Sequence, residues 1–279
     1  MSDRLKDDLS SVELEVIRKG LLSATGFDIG NYKPGQMLRL LSTIMARAGA
    51  ETFQEYLALL KREPQRIEDF KHFITINVSE FFRDKSLFDY LDRSIFPPLL
   101  EKFKSLKIWS AGCASGEEPY SVSILLEERL RQKFFDYEIL ATDIDDEALE
   151  KGKIGVFPAK ALKNVSPVLK ESYFDVIEAP RREQGQSEFK VQEKLKKRIT
   201  FQKQDLLLPL ETQKFHLVLC RNVVIYFTEA AKKQMYSNLA QTLLPGGVLF
   251  TGATENLLNY RDFGFEKLET YFYRKPFLK

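Results

Sequence analysis

Three carboxylates stand where a ligand could meet them. Glu117 and Glu118 follow the small-residue run Ser110 to Gly116, and Asp143 closes the apolar stretch Tyr137 to Thr142. Acids beside a turn of small residues accept hydrogen bonds from amines, hydroxyls and cations, and they disfavour phosphate, which needs donors. Gly112 and Gly116 form neither the G-x-G-x-x-G of a nicotinamide site nor the ending of a phosphate-cradling P-loop. Gly112 remains a contact candidate because a residue without a side chain lets a ligand approach the backbone. Asp143, at the end of a second strand, is placed to accept ribose hydroxyls; its competing role, shared with Asp145, is to cap a helix starting near Asp146. A second polar cluster lies in Phe73 to Asp84, where Asn77, Ser79 and Arg83 interrupt an aromatic run without periodicity. Such groups serve a site or cap a helix, and Ser79 begins an N-cap pattern ahead of Phe81 and Phe82. His72 and His216 read as packing residues. Cys113 and Cys220 do the same, since two cysteines without clustered histidines make no convincing metal site.

Positioning these residues requires strands that alternate with helices. Leu106 to Trp109 reads as a buried strand running into the small-residue turn, and Pro119 suits the first turn of a helix whose apolar face holds Val122, Ile124, Leu125 and Leu130. Further along, Phe215 to Cys220 is a buried strand, Arg221 to Phe227 a turn, Glu229 to Leu244 a helix stopped by Pro245, and Val248 to Gly252 another strand. Phe265 to Lys275 alternates as an antiparallel edge pair. Between the halves, Lys151 to Tyr173 reads as helix, turn at Pro158 and short helix, and Phe174 to Val191 as an appended hairpin with a charged loop, Glu178 to Ser187. This pattern predicts an α/β, doubly wound, mostly parallel sheet with ligands at the carboxyl ends of the strands. Ser10 to about Ile95 is helical in pattern, with breaks at Gly26 to Gly35 and at Glu63-Pro64, then a helix from about Asp84 to Phe96-Pro-Pro98. Lys33, Arg39, Arg47, Lys61, Arg62 and Arg66 form either a docking face for an acidic partner or ordinary solvated helix surfaces.

The 279 residues suffice for one large or two modest domains, and a net charge of only +2 asks for no nucleic acid. No apolar run approaches the roughly 18 to 20 residues of a membrane span, and the polar N-terminus lacks a signal-peptide pattern, so a cytoplasmic protein is expected.

Five stretches, in order, resemble the motifs of the CheR family, the chemotaxis receptor methyltransferases: Asn77 to Arg83, Ser110 to Tyr120, Ala141 to Asp145, Gln204-Asp205-Leu206, and Cys220 to Phe227. The likeness spans roughly residues 35 to 275. It implies a helical N-terminal domain at 1–83 and an S-adenosylmethionine-binding methyltransferase domain at 84–279 of Rossmann-like fold, with a small antiparallel β-subdomain inserted at about 172–193. It also implies a protein-glutamate O-methyltransferase that acts on chemoreceptor cytoplasmic helices, uses S-adenosylmethionine and releases S-adenosylhomocysteine. By position, Asn77, Ser79, Arg83, Glu117, Asp143, Asp205, Leu206, Arg221 and Asn222 would contact the cofactor, with Tyr226 beside the transferred methyl. Ser79 and Asp205 stand where the family commonly has Thr and Asn, and both keep a hydrogen-bonding group. The chemistry is compatible, for a glutamate with a pKa of about 4.3 is already a nucleophile at neutral pH and needs no general base. Arg83 or Arg221 could orient a carboxylate, and Phe81, Phe82 and Tyr226 could shield a sulfonium, the alternative for Phe81 and Phe82 being core packing. A monomer is expected. Two other functions are weighed: a non-catalytic module that only binds the cofactor, against which the intact Arg221-Asn222 and Tyr226 motif argues, and a nucleic-acid methyltransferase, for which the Asn/Asp-Pro-Pro-Tyr motif is missing.

Overall fold

The computed structural model describes residues 11–75, 78–131, 133–177, 187–210 and 213–277. They divide into two compact units, one of residues 1–77 with 224–234 and one of residues 78–223 with 235–279.

The described residues of the first unit form α1 (Ser11–Thr25), α2 (Pro34–Arg47), α3 (Phe53–Arg62) and α4 (Gln65–Thr75), together with the start of a later helix at Glu229. Local chemistry sets their ends. Gly26 follows α1 in the left-handed region, Pro34 opens α2, and a reciprocal capping box between Thr52 and Glu55 starts α3. Leu21, Leu41, Tyr56, Leu60 and Phe70 are buried in this unit. Arg18 forks onto both oxygens of Asp28 at 2.7 and 2.8 Å, which holds that carboxyl below its usual range. Phe227 sets its ring edge-on to Tyr32, 5.0 Å between centroids. The expected basic face is partly spent internally: Arg62 and Arg66 both pair with Glu63, Arg47 lies over the Phe73 ring, and Lys33 Nζ donates to the Ile225 carbonyl.

The second unit runs α5 (Lys85–Tyr90), α6 (Phe96–Lys102), β1 (Ser105–Ala111), α7 (Glu117–Leu130), β2 (Asp136–Asp143), α8 (Asp146–Ile154), β3 (Val156–Pro158), α9 (Pro167–Tyr173), β4 (Phe174–Ile177), β5 (Glu188–Val191), α10 (Glu193–Lys196), β6 (Ile199–Lys203), β7 (Phe215–Cys220), the end of α11 (Glu229–Thr242), β8 (Leu243–Thr251), β9 (Glu266–Glu269) and β10 (Phe272–Arg274). Its main sheet has the order β6-β2-β1-β7-β8-β10-β9. The first five of these strands are parallel, and β10 pairs antiparallel with both neighbours. The chain winds outward from β1 through β2 to β6, then returns to place β7 on the other side of β1. In open α/β sheets such a reversal marks the place where ligands bind, here the carboxyl ends of β1 and β7.

Several boundaries differ from the sequence reading. The expected hairpin is a three-stranded antiparallel sheet, β3-β5-β4, because Val156–Pro158 pairs where a bare turn at Pro158 was expected. Residues 178–186 of its charged loop, with Arg181 and Arg182, lie outside the described residues. Strand β6 was not foreseen. α11 ends at Thr242, and Pro245 lies within β8, where the pairing with β7 shifts register between Phe215 and Leu217. The segment Asp84 to Phe96 is broken by a π-helical turn over Leu91–Ile95.

Inside the sheet the buried Trp109 indole donates to Thr142 Oγ1 at 2.9 Å, tying β1 to β2. Thr142→Val keeps the shape but leaves a buried N–H unpaired, so it should lower the unfolding free energy by about 1–3 kcal/mol. Urea denaturation followed by the fluorescence of this single tryptophan measures the change, and wild-type stability would mean that the indole finds another acceptor.

Candidate functional site

The turn after β1 takes a conformation few sequences allow. Gly112, Ala114 and Gly116 have φ of 81°, 46° and 95°. The N–H groups of Gly112 and Cys113 both donate to the Thr142 carbonyl, at 2.8 and 2.9 Å, which folds the turn over the end of β2. A Cβ at Gly112 would lie 2.4 Å from Val223 Cγ2, so both space and backbone conformation require glycine there.

Asp143 is buried beside this turn. Its Oδ2 accepts the Ala114 N–H at 2.8 Å and its Oδ1 accepts the Asp145 N–H at 3.1 Å. The Ile144 N–H also bonds to this carboxylate, and burial pushes the carboxyl above its usual range. The capping role falls to Asp145, whose Oδ1 accepts from the N–H groups of Glu147 and Ala148 at the start of α8. Glu117, first in α7 and also buried, accepts the Ser115 hydroxyl at 2.8 Å and is hydrogen-bonded to the Ser79 side chain; burial again raises its pKa. Ser79 is therefore not an N-cap. The helix after it starts at Lys85, behind Asp84 in a left-handed conformation that makes no side-chain cap bond.

Arg221 differs most from the sequence reading. Only 2% of its side chain is exposed, and its guanidinium packs on the rings of Phe88 and Phe250, 5.0 and 4.6 Å from their centroids. Nη1 donates to Glu118 Oε2 at 3.2 Å, while Nη2 donates to Asp84 Oδ2 and to the Arg83 carbonyl at 2.8 and 2.9 Å. Glu118 Oε1 accepts the Ser110 hydroxyl at 2.7 Å, and its carboxyl is raised by burial against the opposing pull of Arg221. Both terminal nitrogens are engaged inside the protein, while Nε is buried and has no hydrogen-bond partner among the described residues. Arg83 is half-buried; its Nη1 donates to the Val78 carbonyl at 2.9 Å.

The remaining candidates spread along the strand ends. Asp205, two residues beyond β6, accepts the Leu207 N–H at 2.9 Å, and Leu206 is buried with its carbonyl accepting from Asn238 Nδ2 at 3.1 Å. Asn222 follows Arg221 with φ 60°. Phe81 and Phe82 are core residues: Phe81 meets Phe157 and Phe174 edge-on, and Phe82 meets Phe88. Tyr226 belongs to the first unit, in a 3-10 turn over Val224–Tyr226, and its carbonyl accepts the Lys33 N–H at 2.8 Å. Asn77 lies outside the described residues. His216 is confirmed as a packing residue: its Nδ1 accepts the Lys107 N–H at 2.9 Å and its ring packs on Phe103, with burial lowering its pKa. Both cysteines are free and buried, their thiols pushed well above the usual range by burial.

The second unit thus gathers Ser79, Arg83, Gly112, Glu117, Asp143, Asp205, Leu206 and Asn222 on the segments that follow β1, β2, β6 and β7 and on the segment before α5. Sequence reading missed what holds them: Ser110, Ser121, Asp84, Glu118 as the partner of Arg221, and Glu255.

Comparison with known proteins gives matches over nearly the whole chain. The model for the CheR methyltransferase SAM-binding domain matches residues 77–272, and that for the CheR methyltransferase all-alpha domain matches residues 12–75. The chain is 36% identical over 251 residues to a chemotaxis protein methyltransferase of Listeria monocytogenes, covering 90% of this chain and 92% of that protein. With a chemotaxis protein methyltransferase of Borreliella burgdorferi it shares 29% identity over 279 residues, 96% of each chain. Chemotaxis protein methyltransferase 1 of Pseudomonas aeruginosa is 30% identical over 262 residues, 91% of this chain and 93% of that one.

The close approach at Gly112 is testable by itself. Gly112→Ala should destabilise the protein by about 1–3 kcal/mol through overpacking and a strained φ. Adding Val223→Ala should recover part of that loss in thermal unfolding, whereas purely additive losses would disprove the contact.

Proposed function

Because the chain belongs to the CheR methyltransferase family, whose SAM-binding domain it carries, we propose that it transfers methyl groups to glutamate carboxylates on the cytoplasmic helical domain of a chemoreceptor. The observation that carries this reading is the match of both family domains, in order, across residues 12–272. We read it as a cytoplasmic monomer; no helix among the described residues is long and apolar enough to cross a membrane.

The donor and acceptor set suits the cofactor. When bound, S-adenosylmethionine supplies an electrophilic methyl on a sulfonium. Asp143, an acid at the end of the second strand, is assigned the hydroxyls of the ribose, and Glu117 the neighbouring hydroxyl or ammonium donors. Gly112, Ser79, Asp205, Leu206 and Asn222 are assigned further contacts by motif position. Arg83 is assigned to a carboxylate, that of the methionine moiety or of the incoming glutamate. Asn77 and Tyr226 are assigned by motif alone, Tyr226 beside the methyl.

Transfer from a sulfonium to a carboxylate annihilates two opposite charges, so water that solvates either one slows the reaction. The chain's task is alignment and exclusion of water, with no proton to move. The lowered pKa and occupied Nδ1 of His216 support this division of labour.

Incubation with methyl-labelled S-adenosylmethionine and receptor cytoplasmic fragments should give label that mild base releases as methanol. Cofactor binding without any such label would instead make the protein a regulatory module. Asp143→Ala should weaken S-adenosylhomocysteine binding by about 1.5–3 kcal/mol, the worth of charge-assisted hydrogen bonds; unchanged affinity in calorimetry would remove Asp143 from the site.

Binding should also depend on pH. Burial raises the Asp143 and Glu117 carboxyls, while ligand donors favour their ionised forms. Affinity for S-adenosylhomocysteine should therefore rise as pH climbs through the raised pKa values and then level off, with protons released on binding. Stability of the ligand-free protein runs oppositely: these groups stabilise the fold at low pH, and that contribution fades as pH rises through their folded pKa values. Calorimetry at about pH 5 in buffers of different ionisation enthalpy reads the released protons, and proton uptake would contradict the assignment.

A further inference from the structure

Glu255 stands outside every motif considered above. It lies four residues beyond β8, its carbonyl-to-amide turn closed by its own N–H donating to the Gly252 carbonyl at 2.9 Å, and it is only 5% exposed. Its Oε2 accepts two backbone N–H groups, that of Asn222 at 2.6 Å and that of Gly252 at 3.1 Å. Cys220 and Thr251, the last residues of β7 and β8, are partners in the sheet. One carboxylate oxygen therefore clamps the two chains just as they leave neighbouring strands.

What it clamps is strained. Asn222 sits at φ 60°, a left-handed conformation that asparagine tolerates better than most residues but that persists only when its surroundings hold it. The clamp also has a space requirement, since a Cβ at Gly252 would fall 2.6 Å from Glu255 Oε2 and 2.8 Å from the Asn222 nitrogen. Glycine is needed at 252 for that close approach.

We propose that Glu255 is a positioning residue of the methyl-transfer centre: by accepting the Asn222 N–H it fixes the left-handed turn that presents Asn222 to the bound cofactor, without touching cofactor or substrate itself. The inference rests on the assignment of Asn222 to the cofactor pocket. It predicts that cofactor affinity responds to the acceptor at 255 and to the space at 252.

The test is calorimetric titration of S-adenosylhomocysteine into the full-length chain and its variants, well below their melting temperatures and with folding checked by circular dichroism. Glu255→Ala should weaken binding about tenfold, as expected for one lost hydrogen bond to a charged group. Glu255→Gln, which keeps an acceptor oxygen, should restore most of the affinity. Gly252→Ala leaves the carboxylate in place but pushes it off Asn222, so it should weaken binding to a similar degree and covers the case in which Glu255→Ala does not fold. Asn222→Ala should add little to Glu255→Ala, because the two losses share one contact. Wild-type affinity in a folded Glu255→Ala or Gly252→Ala protein, even with a lower melting temperature, would overturn the proposal and leave Glu255 a structural residue only. Failure of the wild-type chain itself to bind S-adenosylhomocysteine would instead overturn the cofactor assignment on which the proposal rests.

Discussion

A full positive charge inside the second unit constrains everything around it. The burial of the Arg221 guanidinium has to be offset by partners that are themselves fixed. Glu118, Asp84 and the Arg83 carbonyl supply the counter-charge and the acceptors, and the faces of Phe88 and Phe250 close the guanidinium off from water. The partners come from the start of α7 (Glu118), the residues before α5 (Arg83 and Asp84), α5 itself (Phe88) and β8 (Phe250). The ion network therefore fixes the distance between the segment that carries Ser79 and Arg83 and the strand ends that carry Asp143 and Asn222. Loss of one partner would leave an uncompensated charge, the most costly defect an interior can hold.

Around that cation the backbone is repeatedly strained, and each strained position has its own buried or half-buried polar restraint. Phe82, Asp84, Ala114 and Asn222 all have positive φ. The Phe82 N–H donates to Ser121 Oγ, the Asp84 carboxylate accepts from Arg221, the Ala114 N–H donates to Asp143 and the Asn222 N–H to Glu255. Strain held in this way amounts to pre-organisation: the pocket's shape is set before a ligand arrives, so less binding energy is lost to ordering it.

Much of the architecture was readable because strongly buried strands and amphipathic helices write their period into the chain. Strand β7, buried at every position, and the small-residue turn after β1 are examples. Strand β6 escaped because it lies at the sheet edge with Ile199 as its only fully buried residue, and β3 because three residues carry no period. The motif residues Glu117 and Asp143 were legible as acids at strand and turn ends. Their supports were not: Asp84, Glu118 and Arg221 are remote from one another in sequence, and nothing local marks Glu255 as the partner of Asn222. The carboxylates that engage Arg221 were hidden for the same reason, since both lie far from it in the sequence.

The doubled hydrogen bond at the Thr142 carbonyl also bears on selectivity inside a cell. By drawing in the N–H groups of both Gly112 and Cys113, it consumes the donors that a nucleotide's phosphates would need, while Asp143 takes the N–H of Ala114. On the proposed reading, a nucleotide that shares the adenosine half of the cofactor would meet Asp143 and Glu117 at a turn where these three amides are already engaged. Discrimination on that reading would lie in the main chain of the turn, where a side-chain substitution cannot easily erase it.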